Sequence, residues 1–424
     1  MTASPRAPAA EPLPAIQQEI ARLAALPEVC SAIEWFRDRE VQFTRWQLEV
    51  VKIAAPPFGE SARADWLAGK FAELGLGCVL QDNIGNVFGS QAAVGDRCVT
   101  VSAHLDTVFP AGTALDPRQQ GRKLYGPSVS DNAAGVIALL AVAAAVVRFD
   151  LSSINRSPAG SLLFIGNVGE EGEGDLRGMR YIFSDSQWKD SITASVVIDG
   201  AGTDTIVAEA LGSRRFEVTI RGPGGHSWSD FGAPNPIVVL ARAIHLFSQS
   251  RVSSSPKTTF NIGVIRGGTS VNSIPESASM RVDIRSTSAF EIERLELELR
   301  SAIEQAIDEE EIRGNKNRNS VPQTELEAEI IAIGNRPGGE LPPNARILQI
   351  ARAVDAHLGN TAHVQRASTD ANIPISLGRQ AIAIGAGGAG GGAHTLQEWF
   401  DTTGRELGLQ RILLIVLALA GTVK

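Results

Sequence analysis

Cysteine, tyrosine and methionine are scarce in this 424-residue sequence, at three, two and three residues, and aromatic side chains make up only 5% of it. Cys30, Cys78 and Cys98 are odd in number and have no short pair spacing, which argues against a disulfide framework or a thiolate metal site and for a reducing, cytoplasmic compartment. Positive charge is also in deficit: 39 Lys plus Arg face 47 Asp plus Glu, for a net charge of −8. Such a chain carries no electrostatic footprint for nucleic acid or an anionic membrane surface, and neither is expected as a partner. No apolar run reaches bilayer length. The longest, Val136–Val147, stops at Arg148, and both it and the tail Ile412–Ala420 read as buried helices. The opening MTASPRAPAAEPLPAI has no charged head followed by an apolar run, so no signal peptide is expected, and its Pro-rich first dozen residues are expected to be mobile. No internal repeat is visible, which argues against solenoids and propellers.

What is present is apolar material for real cores. A 43% hydrophobic content with 20% charged residues excludes general disorder, and the length predicts roughly two or three domains. Apolar spacings of three and four predict helix from Ile16 to Val51, broken by Pro56, Pro57 and Gly59, and again from Arg63 to Leu74. The runs Cys98–Ala103, Ser161–Val168, Ala194–Ile198 and Ala381–Ile384 are apolar on both faces and alternate with helices such as Ala133–Val147. That is the signature of a mostly parallel sheet with helices on both faces. Residues 214–335 have another rhythm: strand Arg214–Arg221, helix Pro236–Ser248, strands Thr258–Ile265 and Ser277–Arg285, helix Glu291–Glu310 and strand Glu325–Ile333. This β-α-β-β-α-β order predicts an inserted ferredoxin-like α+β domain at 214–335, which leaves 1–213 and 336–424 as one discontinuous α/β domain.

Ionisable residues cluster where predicted strands end. His104 and Asp106 follow one strand in SAHLDTVFP, Glu170 and Glu171 follow another in NVGEEGEG, Asp199 follows ASVVI, and His394 follows AIAIGAGGAGGGA. The carboxyl ends of strands in an open α/β sheet form the ligand crevice, so four exits deliver these groups to one edge. Asp131, just ahead of the long apolar helix, joins them, although alone it reads equally well as a helix cap. Asp199 alone could be an ordinary loop carboxylate. Two imidazoles with several carboxylates and no thiolate suit zinc, and this many acids suit two ions sharing one carboxylate better than a single tetrahedral ion. Asp106, two residues from His104, can stand behind its ring, and of the pair Glu170 and Glu171 one can ligate while the other faces a metal-activated water.

Taken in order from about Leu48 to the C-terminus, HLDT, GPSVSDNAAG, EEGEGD, VIDG, GPGGHSW, SVNSIPESA with VDIR, and STDANIP followed by GGGAHTLQEW resemble the di-zinc exopeptidase and deacylase family. That family includes peptidase T (tripeptide aminopeptidase), glutamate carboxypeptidase, aminoacylase and succinyl-diaminopimelate desuccinylase. The resemblance implies two Zn²⁺ per subunit, with Co²⁺ or Mn²⁺ as substitutes. It makes His104 and Asp199 ligands of one ion, Glu171 and His394 ligands of the other, and Asp131 the bridge. It makes Asp106 the acid that orients His104 and Glu170 the general base. It also makes 214–335 a lid that forms a homodimer, with His226 reaching the partner's active site to polarise the scissile carbonyl and Asn272 and Arg285 holding substrate. Read without the resemblance, His226 is a turn histidine after three glycines, Asn272 a turn cap and Arg285 a strand-face ion-pair partner. His245, His357 and His363 read as surface or packing residues, and Ser368, Thr369 and Asp370 are assigned no direct role.

Two departures stand out: relatives often carry a second acid where this chain has Asn132, and Glu173 and Asp175 extend the acidic run, which weakens the tripeptidase label more than the metal chemistry. The expected function is therefore a zinc-dependent exopeptidase acting on small peptides. An N-acyl-amino-acid amidohydrolase is the alternative, and a metal-binding protein without catalysis is the reading from another class, which would require a missing ligand or base.

Overall fold

The strand Cys98–His104 is buried along its whole length in the computed structural model, which describes residues 13–154, 161–317 and 326–421. It pairs in parallel with Ser161–Asn167 on one side and Ile192–Ile198 on the other, and Ile192–Ile198 pairs in parallel with Gln380–Ile384. Outward from there the sheet adds Val87–Ser90 and then Cys78–Gln81 at one edge, both antiparallel, and Thr205–Ala210 with its parallel neighbour His363–Ala367 toward the other. Strands apolar on both faces need cover on both faces. Helices Ala133–Arg148 and Arg405–Gly421 supply much of it and are themselves buried nearly all round, which is why neither shows a polar stripe. None of the described helices is long and apolar enough to cross a membrane.

The helical pattern of 16–51 resolves into three helices, Leu13–Ala24, Pro27–Asp38 and Glu40–Val51. Pro27 explains the first break, because it cannot continue a helix but is well suited to the first turn of the next. The Pro-rich first dozen residues lie outside the described ones. A second, small sheet was not expected: Ala389–Gly391, Trp399–Asp401, Lys123–Tyr125 and Arg118–Gln120 pair in that order, all antiparallel.

The chain divides into two compact units, Met1–Ala210 with Glu340–Lys424, and Leu211–Gly339. The second contains the stretch 214–335. Its four antiparallel strands are ordered Thr258–Gly267, Ser277–Ser286, Gly212–Arg221 and Glu327–Arg336. Helices Pro236–Ser248 and Ala289–Asn317 pack on this sheet, and Phe216, Val218, Ile220, Met280, Val282 and Ile284 form its core with Leu240, Phe247, Leu295 and Leu299. Buried residues alternate along Ser277–Ser286, as the period of two requires when one face is covered by helices.

Candidate metal centre

His104 is the last residue of its strand and lies opposite Asn167, the last residue of the next, so the loops that follow both strands leave the sheet side by side. This places Asp106 beside Glu170 and Glu171. The buried Asp106 carboxylate accepts the main-chain N–H of Glu170 at 2.9 Å and of Glu171 at 2.7 Å. Toward His104 it stands 3.6 Å from Nδ1, and its own main-chain oxygen is nearer, at 3.1 Å. Asp106 thus fixes both loops at once, and the ring of His104 is oriented as much by the Asp106 backbone as by its side chain.

Asp131 is where the donors converge. One carboxylate oxygen lies 3.1 Å from His104 Nε2 and the other 3.1 Å from His394 Nε2. His104 Nε2 is also 4.0 Å from Asp199, and His394 Nε2 is 3.0 Å from Glu171. Three donor sets result: His104, Asp131 and Asp199; Asp131, Glu171 and His394; and His104, Glu170 and Glu171. The first two share only Asp131. Asp131 is not used as a helix cap: the cap position falls to Asn132, whose side chain instead donates to the Ile198 carbonyl and accepts from Gly200 N–H.

The charges show what such a site demands. Burial opposes a charged His104, but the Asp106 and Asp131 carboxylates outweigh it and raise its pKa well above the histidine range. The hydrogen bond to Asp131, reinforced by Glu171, lifts His394 to about 9. Burial, and then the Glu170 charge, push Glu171 up to about 8, whereas the two imidazoles overcome burial to hold Asp131 far below the carboxylate range. Protons are being kept among crowded carboxylates, a place where divalent cations fit well. The His–carboxylate separations of 3.0–4.0 Å are compatible with ligands held by bonds of about 2.0–2.2 Å to one ion, and imidazole with carboxylate suits zinc and its neighbours.

Two supporting residues were not anticipated. Glu398 is fully buried and accepts three main-chain N–H groups, from Ser128 at 3.0 Å and from Ser130 and Asp131 at 2.7 Å each, so it anchors the segment that presents Asp131. Burial lifts its carboxyl to about 7. An acid four residues after His394, in a loop that follows a strand, was the available signal. Arg63, also buried, donates to the carbonyls of Ile53 and Leu105 and so braces the residue between His104 and Asp106. Asp370 is fully buried as well and accepts from Asn167 Nδ2 at 2.6 Å.

The remaining candidates belong to the second unit. His226 is exposed on a two-residue strand paired with Ser273–Ile274. Its Nδ1 accepts from Trp228 N–H at 3.2 Å and Ser229 N–H at 3.4 Å, and its own N–H donates to Asp230 at 2.7 Å. With Nδ1 accepting, the neutral ring carries its proton on Nε2 and presents a donor. Asn272 is next to it, accepting Ser227 N–H through its main-chain oxygen at 3.0 Å. Arg285 is not: it pairs with Asp283 at 2.6 Å, eight residues along the strand from Ser277, or roughly 26 Å at ~3.3 Å per residue. His245, His357 and His363 are exposed.

Comparison with known proteins agrees with this architecture. Residues 209–311 match the model of a peptidase dimerisation domain, and residues 84–215 match peptidase family M28. The chain is 28% identical over 201 residues to a probable carboxypeptidase of Aspergillus oryzae, covering 44% of this chain and 47% of that one. It is 27% identical over 281 residues to the succinyl-diaminopimelate desuccinylase of Rhodospirillum centenum, covering 61% and 65%. The matched stretch spans about half the length of the first of these relatives. Aminopeptidase PepT of Bacillus cereus superposes with a TM-score of 0.68 at 21% identity, over 90% of this chain and 99% of that one, and so shares its fold.

Proposed function

Because the chain is a member of the zinc exopeptidase family to which the M20 and M28 peptidases belong, we propose that it hydrolyses amide bonds at an end of small peptides, using two Zn²⁺ per subunit. The observation that carries this reading is Asp131, whose two oxygens each face a different imidazole and so give two donor sets with one shared carboxylate. His104, Asp131 and Asp199 would hold one ion and Asp131, Glu171 and His394 the other, with Co²⁺ or Mn²⁺ as substitutes. Bound there, the ions supply an acidified water and a positive field for the scissile carbonyl. The rest falls to side chains. Glu170, held in place through its main-chain N–H by Asp106, takes the proton of the attacking water and returns it to the leaving amine.

His226 donates through Nε2 to the carbonyl oxygen as negative charge develops there. Within one chain His226 and Asn272 are too far from Arg285 for a single small substrate to touch all three, which supports a homodimer in which one copy lends its His226 and Asn272 to the other's site. The match of 209–311 to a peptidase dimerisation domain supports the same assembly. Three free thiols, Cys30, Cys78 and Cys98, accord with the cytoplasmic address. The alternative, hydrolysis of N-acyl amino acids, is favoured by the likeness to a desuccinylase and needs the same machinery. Replacing Glu170 with Ala tests the shared core: turnover of the best peptide or N-acyl amino acid should fall by ~10²–10⁴ while bound metal, measured by elemental analysis, stays unchanged. Undiminished turnover would overturn the assignment.

A further inference from the structure

Beside Asp131 lies a cavity of about 510 Å³, within the usual size range of ligand pockets, whose walls are almost entirely main chain and small side chains. Two glycines show how closely its walls are packed. A Cβ on Gly390 would come within 2.3 Å of Ser130 Oγ, and one on Gly202 within 3.0 Å of Asp204 Oδ1, so the Asp204 carboxylate lies against the Gly202 backbone that forms the wall. That wall is braced. Gly202 and Gly387 exchange main-chain hydrogen bonds at 3.0 and 3.1 Å, Asn360 ties Thr203 from both sides, and Asp204 accepts His363 N–H at 2.8 Å through its main-chain oxygen. The ionisable groups on the walls are Asp131 and Asp204; among the described lining residues there is no Lys, Arg or His. With Asp131 committed to the cations, Asp204 is the charge that an occupant of this cavity meets.

We propose that this cavity receives a cationic end of the substrate, an ammonium or guanidinium group, and that Asp204 is the residue that selects it. The inference rests on the peptide-hydrolase reading above and sharpens it toward peptides with a free amino terminus or a basic first residue. A carboxylate-bearing acyl group placed there would face Asp204 with no basic side chain among the described lining residues to offset the repulsion. Specificity would come from both sides of that balance, attraction of the right group and repulsion of the wrong one. The carboxylate acts on substrate alone and takes no part in the proton transfers assigned to Glu170.

The test uses the zinc-loaded protein carrying Glu170→Gln, so that binding can be measured by calorimetry without turnover. Ala-Gly-Gly should bind about tenfold more tightly than N-acetyl-Ala-Gly-Gly if the α-ammonium is the group held, and N-acetyl-Lys-Gly-Gly about tenfold more tightly than its norleucine counterpart if a side-chain cation is held. Adding Asp204→Asn should erase whichever difference is seen and leave the uncharged peptides unaffected, and Asp204→Lys should invert it in favour of N-succinyl amino acids. Equal binding of charged and uncharged forms, or a difference that survives Asp204→Asn, would overturn the assignment. Failure of the underlying reading looks different: the Glu170-containing protein would hydrolyse no amide in the same panel, whatever the binding ratios.

Discussion

The two units solve opposite problems. In the first, most functional groups are held by burial, His394 being the exposed exception: His104 is 1% exposed and Asp106 fully buried, and Glu398 accepts three main-chain N–H groups. In the second, His226 ends an exposed two-residue strand, followed by Trp228 at 88% and Phe231 at 77% exposure, with Val271 fully exposed next to Asn272. Ligands for ions must be preorganised against mutual repulsion, so the chain embeds them in a sheet edge. On the proposed reading His226 is offered to another copy and must protrude, its precision coming from local hydrogen bonds, those of Asp230 and of the N–H groups on Nδ1. Crowded carboxylates in one unit and protruding aromatics in the other thus fit the proposed cation site and the proposed partner surface.

The comparison can be broken most sharply by mixing variants. Glu170→Ala disables one unit and His226→Ala the other, each costing ~10²-fold or more in kcat. If His226 serves the opposite copy, co-refolded mixtures should recover activity that neither parent has, measured as the rate against mixing ratio. No recovery would confine each site to its own chain. A smaller effect concerns the support of Asp131. Glu398→Ala should weaken metal affinity by roughly 10–100-fold, read by competition with a chromophoric chelator, while the circular dichroism of the loaded protein is unchanged.

The smallest effect is one of pH. His394 and Glu171 have folded pKa values raised to about 9 and about 8, so the native metal-free protein binds more protons than the unfolded chain. Their contribution to stability is therefore complete below their unfolded pKa values, near 6.5 for His and 4.3 for Glu, and is lost as pH rises toward 9. Asp131, held low, acts in the reverse sense and loses its contribution only in acid. Metal-free protein should melt at lower temperature at pH 9 than at pH 6, and saturating zinc should remove most of that slope, since the ions then do what the protons did. A melting temperature that rises from pH 6 to pH 9 without metal would contradict this account.

Much of this was legible in the sequence. Four buried strands announced themselves as apolar runs, and the metal-site candidates could be found because all but Asp131, which stands ahead of the helix Ala133–Arg148, follow one of them. The small sheet of Ala389–Gly391, Trp399–Asp401, Lys123–Tyr125 and Arg118–Gln120 was not legible: strands of three residues are too short to show a period, and a glycine run gives no pattern at all. Glu398 was missed for a related reason, since a carboxylate in a loop looks solvated until the fold buries it. Arg285 illustrates the converse limit. Its residue type fits substrate binding, but only the register of its strand reveals how far it stands from Asn272.

The divided course of the first unit has a consequence for how the protein is made. Residues 211–339 are continuous and can close their own antiparallel core as soon as they are synthesised. The strands before them must wait for Gln380–Ile384, and the donors His104, Asp131, Glu171 and Asp199 must wait for His394, which arrives with the last stretch of the chain. Until then three acids and an imidazole are present with no second histidine, so the proposed metal centre stays unassembled during translation and a chain truncated before residue 394 would carry an intact second unit and no complete centre.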